Sequence, residues 1–223
     1  MFFAATMLAW VASAGAVDGT IEINQAKVLA AGGFPYTICG SPPPACDSDG
    51  AISGSYRLTS NLTVSSTSTD AIDVSVSHVT IDLNGFAIVG PGGSTSTSDG
   101  INGSASGAFT VENGTVTGFN IDIYTANYGI VRNVHATGSH VGIKAGTGNV
   151  ISGNTADANG TAGIYCVGSG CAIYGNTVVN NTGNGIFAAD NTTGYGSNVV
   201  YNNGTDVTGA TSMGNNVVGG VLK

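Results

Sequence analysis

The dipeptide Gly-Ile returns at 142–143, 163–164 and 185–186. With its isoleucine as marker, the series runs back through Ile123 to Ile101 and forward to Val207, in steps of 22, 20, 21, 22 and 21. Ile72 stands one step earlier, 29 residues before Ile101. The excess falls in VGPGGSTSTS, 89–98, a loop by composition. A period of this length is the mark of a solenoid. Each repeat is too small to bury its own apolar face and must stack on its neighbours.

The repeat is also too short for two good helices. Its apolar runs are brief and β-branched (VTIDL, GIVRNV, NVISG, CAIYG, NVVY), and Gly, Asn or Asp interrupts each one. That is strand–turn chemistry, and three short strands with three turns fit one repeat. The sequence therefore predicts an all-β fold, a single-stranded parallel β-helix of about seven coils. Asn84, Asn113, Asn133, Asn154 and Asn176 follow their marker isoleucines by 12, 12, 10, 11 and 12 residues. They are expected to stack as one ladder at a corner, since asparagine tolerates a left-handed backbone and its amide both donates and accepts.

This rhythm of Gly-Ile and Gly-Asn resembles the repeats of the pectin-lyase-like superfamily, especially its small secreted bacterial members. The resemblance covers roughly Ile52 to Val218. It implies a right-handed parallel β-helix and says little of activity, because the superfamily holds lyases, glycosidases, esterases, epimerases, phage tailspikes and members without known catalysis. The Asn-Thr-Asp and Gly-His-Gly motifs of the polygalacturonases are absent from the sequence, as are the calcium-binding Asp runs of secreted repeat toxins.

Charge narrows the partners. Only 8% of residues are charged, the net charge is −8, and Lys and Arg together number five. Such a surface disfavours nucleic acid. It also repels polyanionic glycans at long range unless metal ions or a local basic spot intervene. No cofactor motif stands out: GTGNVI at 146–151 lacks the final glycine and the following helix of a dinucleotide loop.

Residues 1–16 read as a signal peptide, an apolar run ending in Ala14-Gly15-Ala16, though without a basic start. The run is too short for a membrane span. Residues 17–50 read as an N-terminal cap, with Asn24 capping a short helix over 25–31 and Ile23 and Val28 forming a hydrophobic staple. Residues 51–223 form the β-helix domain. Cys39 and Cys46 bracket one turn-rich loop, Cys166 and Cys171 another, so two local disulfides are the simplest pairing and agree with export. The last coil has no obvious cap. Either 217–222 folds over it, or another subunit covers it by self-association.

If the marker isoleucines point inward, the residues after them point outward: Asp73, Asn102, Tyr124, Lys144, Tyr165, Phe187 and Thr208. Three aromatic rings and a lysine on one sheet face suit the apolar faces and polar rims of sugars. A self-packed ladder that merely stabilises the sheet is the competing account. Asp70 and Asp99 stand shortly before this column at the lip of the 89–98 loop, and Asp122 precedes Ile123. Carboxylates so grouped bind Ca²⁺, serve acid–base work or simply satisfy turn amides. Glu112 and Arg132 should stack as an ion pair, and an enzyme reading would make Arg132 a base beside Asp82. His78, His135 and His140 share no evident column.

The sequence is thus read as a secreted or cell-surface β-helix without catalysis, structural or adhesive, that binds a neutral or weakly charged polysaccharide. The alternatives are a polysaccharide lyase or glycoside hydrolase on the same face, and a subunit of an extracellular fibre or trimer.

Overall fold

A computed structural model describes residues 19–39, 53–92 and 96–223. The chain winds about seven turns of a solenoid with three strand faces. One face is an eight-stranded parallel sheet: Tyr36–Ile38, Ile72–Val74, Asp99–Gly107, Ile121–Asn127, Val141–Ala145, Ala162–Cys166, Asn184–Ala188 and Thr205–Thr208, paired in chain order. The other two faces belong to one sixteen-stranded sheet that bends at a corner. Thr110–Thr117 and Ile130–Thr137 run through that bend. In later coils it splits each strand in two, as in Val150–Ser152 and Thr155–Asp157.

Each face sends an apolar column inward. Ile72, Ile101, Ile123, Ile143, Ile164, Ile186 and Val207 lie in continuous register. The six isoleucines are fully buried. The opposing columns are Tyr56–Ile81–Val111–Val131–Ile151–Ile173–Tyr195 and Leu62–Ile88–Val116–Ala136–Ala156–Val178–Val200. A parallel rung offset by one residue would turn a whole column to solvent, so the apolar period enforces the register.

The glycine before Ile101, Ile143, Ile164 and Ile186 also has a physical cause. A Cβ on Gly163 would lie 2.7 Å from both Asn181 Nδ2 and Val178 Cγ1, and 3.0 Å from the Gly185 carbonyl oxygen. The side-chain direction there points into packed neighbouring atoms, which leaves no room for a Cβ.

The asparagines form more than one ladder. Asn84, Asn113 and Asn133 take positive φ (52°, 62° and 54°) at the exposed corner, as expected. Asn154 and Asn176 do not join them. The corner position passes to Gly153 and Gly175, and the asparagines shift one residue, into the interior. There Asn154, Asn176, Asn198 and Asn216 build a buried ladder, each backbone N–H donating to the next coil's Oδ1 at 2.9–3.0 Å. A third ladder, Asn159–Asn181–Asn203, lies at the turn before the eight-stranded sheet.

Both buried ladders end in an acceptor. The Asn203 N–H turns back to Asp206 Oδ1 at 3.2 Å, and the Asn216 N–H donates to the Lys223 carbonyl at 3.1 Å. Val217–Val218 and Val221–Leu222 form an antiparallel hairpin on the last coil, so this segment does fold over the end of the sixteen-stranded sheet.

At the other end, Asn24 caps the helix Gln25–Ala30 by accepting the Lys27 N–H at 2.9 Å, and Ile23 and Val28 are buried together. The same stretch adds strands to both sheets: Thr20–Ile23 pairs with Gly54–Leu58, and Tyr36–Ile38 with Ile72–Val74. Cys166 and Cys171 are disulfide-bonded with their Cα atoms 6.5 Å apart, in the core. Cys39 is disulfide-bonded too, while Cys46, its expected partner, and the leader at 1–16 lie outside the described residues. Among the described residues no helix is long and apolar enough to cross a membrane.

Candidate functional site

Strand alternation sends the residue after each marker isoleucine outward. Asp73, Asn102, Tyr124, Lys144, Tyr165, Phe187 and Thr208 occupy one unbroken column on the eight-stranded sheet, each partly exposed. The position after it turns inward and is small or apolar: Val74, Gly103, Thr125, Ala145, Cys166 and Ala188 are all buried.

The column's side chains also touch one another. The Lys144 ammonium sits 4.3 Å from the Tyr124 ring centre. The rings of Tyr165 and Phe187 meet edge to face, centroids 4.8 Å apart and planes at 89°. Self-packing and exposure therefore coexist. Beside the perpendicular pair lies a shallow, mainly apolar notch lined by Thr161, Ala162, Tyr165, Asn184 and Phe187.

Acidic groups gather at the N-terminal end of the column. Asp70 accepts the Asp99 N–H at 2.6 Å and the Asn102 amide at 2.8 Å. Asp99 accepts the Asn120 amide and the Ile121 N–H. Burial is the main cause that pushes Asp99 up to about 6, with the Asp70 charge behind it. Burial, then the Asp70 carboxyl by hydrogen bond and charge, and last the Asp99 charge push Asp73 up to about 7. Asp122 stands apart. It points into the solenoid, fully buried, and burial raises it well above the carboxylate range against a hydrogen bond from Ser139 Oγ. Among the described residues no three His, Cys, Asp or Glu side chains are disposed to hold a metal ion.

Arg132, Glu112, Asp82 and His135 lie on the sixteen-stranded sheet, while His140 stands at the turn before Val141–Ala145 of the eight-stranded one. Arg132 and Glu112 are register partners and pair at 2.5 Å, while Asp82 pairs with Arg57 at 3.7 Å in the same column. Arg132 is thus spent on a cross-coil ion pair. His135 Nε2 meets Asp157 Oδ1 at 2.5 Å and His140 Nε2 meets Thr161 Oγ1 at 2.6 Å. The His135–Asp157 contact crosses the register diagonally, so no column count reveals it. The Asp70–Asp73 contact was likewise unread, although its signal, two aspartates three apart around a strand start, is in the sequence.

A family model described as the right-handed beta helix region matches residues 51–221. The chain belongs to the right-handed β-helix family. The match spans most of the chain and agrees with the pectin-lyase-like resemblance. Comparison with curated proteins and with solved structures returned no match. Family membership accounts for the solenoid and leaves the activity to the site.

Proposed function

We propose that this protein is an extracellular β-helix that binds a neutral or weakly charged polysaccharide along Asp73, Asn102, Tyr124, Lys144, Tyr165 and Phe187, without cleaving it. The observation that carries the reading is the outward column itself: continuous in register, partly exposed along its length, and bordered by the Tyr165–Phe187 notch. Rungs ~4.8 Å apart put Tyr124 and Tyr165 ~9.6 Å apart, near the length of two linked sugars. The core disulfide supports an oxidising, extracellular setting.

Calorimetry with neutral oligosaccharides of increasing length tests the proposal. Tyr165→Ala should weaken binding by ~1–2 kcal/mol, roughly five- to thirtyfold. The Tyr124→Ala/Tyr165→Ala double variant should still fold, because both rings point away from the core. Unchanged affinity in that folded variant would refute the reading.

One observation favours a second reading, a glycoside hydrolase. Asp73, in the column itself, is raised to about 7, so part of it stays protonated near neutral pH, and a general acid needs that property. Chromatography of the same oligosaccharides after incubation separates the two. Cleavage that disappears in Asp73→Asn would place the enzyme first.

A further inference from the structure

Asp70 lies just outside the outward column yet engages two of its members. Its Oδ2 accepts from Asn102 Nδ2 at 2.8 Å. The Asn102 Oδ1 is taken by the Ser104 N–H at 3.1 Å, so the side chain is held at both ends with one amide hydrogen left to offer. The other Asp70 oxygen accepts the Asp99 N–H at 2.6 Å, tying the start of the next strand to the turn before Ile72.

The second partner is Asp73. Among the described residues its Oδ1, completely buried, meets no N–H or O–H donor. The Asp70 carboxyl lies within hydrogen-bonding reach of the Asp73 carboxyl. Two ionised carboxylates only accept, so a hydrogen bond between them requires one proton. The charged groups acting on this pair are Asp99, which adds a third negative charge, and Lys144, which offsets Asp99 from two rungs along the column.

We infer that Asp70 is a positioning residue of the glycan column: it holds Asp73 and Asn102 in their outward poses, and the proton it shares with Asp73 sets the charge shown to a ligand at that end. The inference rests on the glycan reading. With the proton present the pair carries one negative charge; when it leaves to solvent, the pair carries two and the carboxyls repel. A hydroxyl-rich neutral sugar is the class that fits the protonated state, since it accepts from Asn102 and donates to the outer oxygen of Asp73. The upward shift of Asp73 to about 7 agrees with this arrangement.

The test has two arms. Carboxyl-detected NMR of the unliganded protein should show Asp73 titrating near neutral pH, and at least one unit lower in Asp70→Asn, which removes the neighbouring charge. Asp73 in the ordinary carboxylate range, or unmoved by Asp70→Asn, would overturn the shared proton whether or not any glycan binds. In the second arm, calorimetry with a neutral oligosaccharide from pH 5 to 8.5 should show wild-type affinity falling at least threefold on the alkaline side. Asp73→Asn keeps both Asp70 hydrogen bonds and should abolish that pH dependence. Asp70→Asn should weaken binding across the whole range, and equal affinity to wild type at every pH would overturn the positioning role. Absence of any binding would defeat the glycan reading and with it the positioning role, leaving the NMR arm to decide the shared proton alone.

Discussion

The Lys144 ammonium lies 4.3 Å from the centre of the Tyr124 ring, one rung back on the same outward column. A partly exposed cation–π contact is worth ~0.5–1 kcal/mol. Lys144→Met, which keeps the aliphatic stem, should lower stability by about that amount in urea denaturation. It should weaken a neutral glycan less than Tyr165→Ala does. A Lys144→Met protein that loses all binding would mean that charge, not ring stacking, holds the ligand.

Asp73 and Asp99 should make stability fall as pH rises from about 4 to about 7. Asp73 and Asp99 have folded values of about 7 and about 6 against an ordinary 3.8, so the folded protein holds their protons more tightly than the unfolded chain. Their contribution is greatest below pH 4 and is lost as pH climbs to about 7. Asp73→Asn, neutral throughout, should flatten the profile between pH 4 and 7. Denaturation midpoints measured across that window check the sign, and a midpoint that rises with pH for this reason alone is incompatible with the cluster.

The buried ladders should be costly to break. Asn181 accepts the Asn159 N–H and donates to the Ala156 and Val179 carbonyls, all within 3.1 Å. Asn181→Ala leaves these groups unpaired at ~1–3 kcal/mol each when fully dry. Water entering the gap would reduce the sum, so a total loss of about 2–4 kcal/mol is expected in equilibrium unfolding. A loss below 0.5 kcal/mol, roughly that of a neutral surface change, would show that the ladder contributes little.

Asp206 should protect the last coil. It supplies the acceptor that the next asparagine would have provided, taking both the Asn203 N–H and amide. Asp206→Ala should speed hydrogen exchange at the Asn203 amide by roughly tenfold, about 1.4 kcal/mol of local stability. Exchange at Ile143 should stay unchanged, because a solenoid couples mainly to its nearest neighbours.

The solenoid, its inward isoleucine column and the outward column from Asp73 to Phe187 were legible in the chain. In a parallel stack one register decision fixes all later rungs, and an inward apolar position recurring every 20–22 residues from Ile101 onward leaves one register that buries it. What happens at the corners was not legible. The spacings of 10, 11 and 12 residues that suggested one asparagine ladder came from turns of unequal length. Counting could not tell Asn133, at positive φ on the exposed corner, from Asn154, one residue further on and buried. The same limit hid His135–Asp157, which crosses rungs diagonally, and Asp70–Asp73, a side-chain contact between the turn before Ile72 and the strand that follows it. Period and polarity alone decide which residues lie in the strands and which way they face. The conformation of each turn, set by packing against the coils on either side, decides which polar side chains meet.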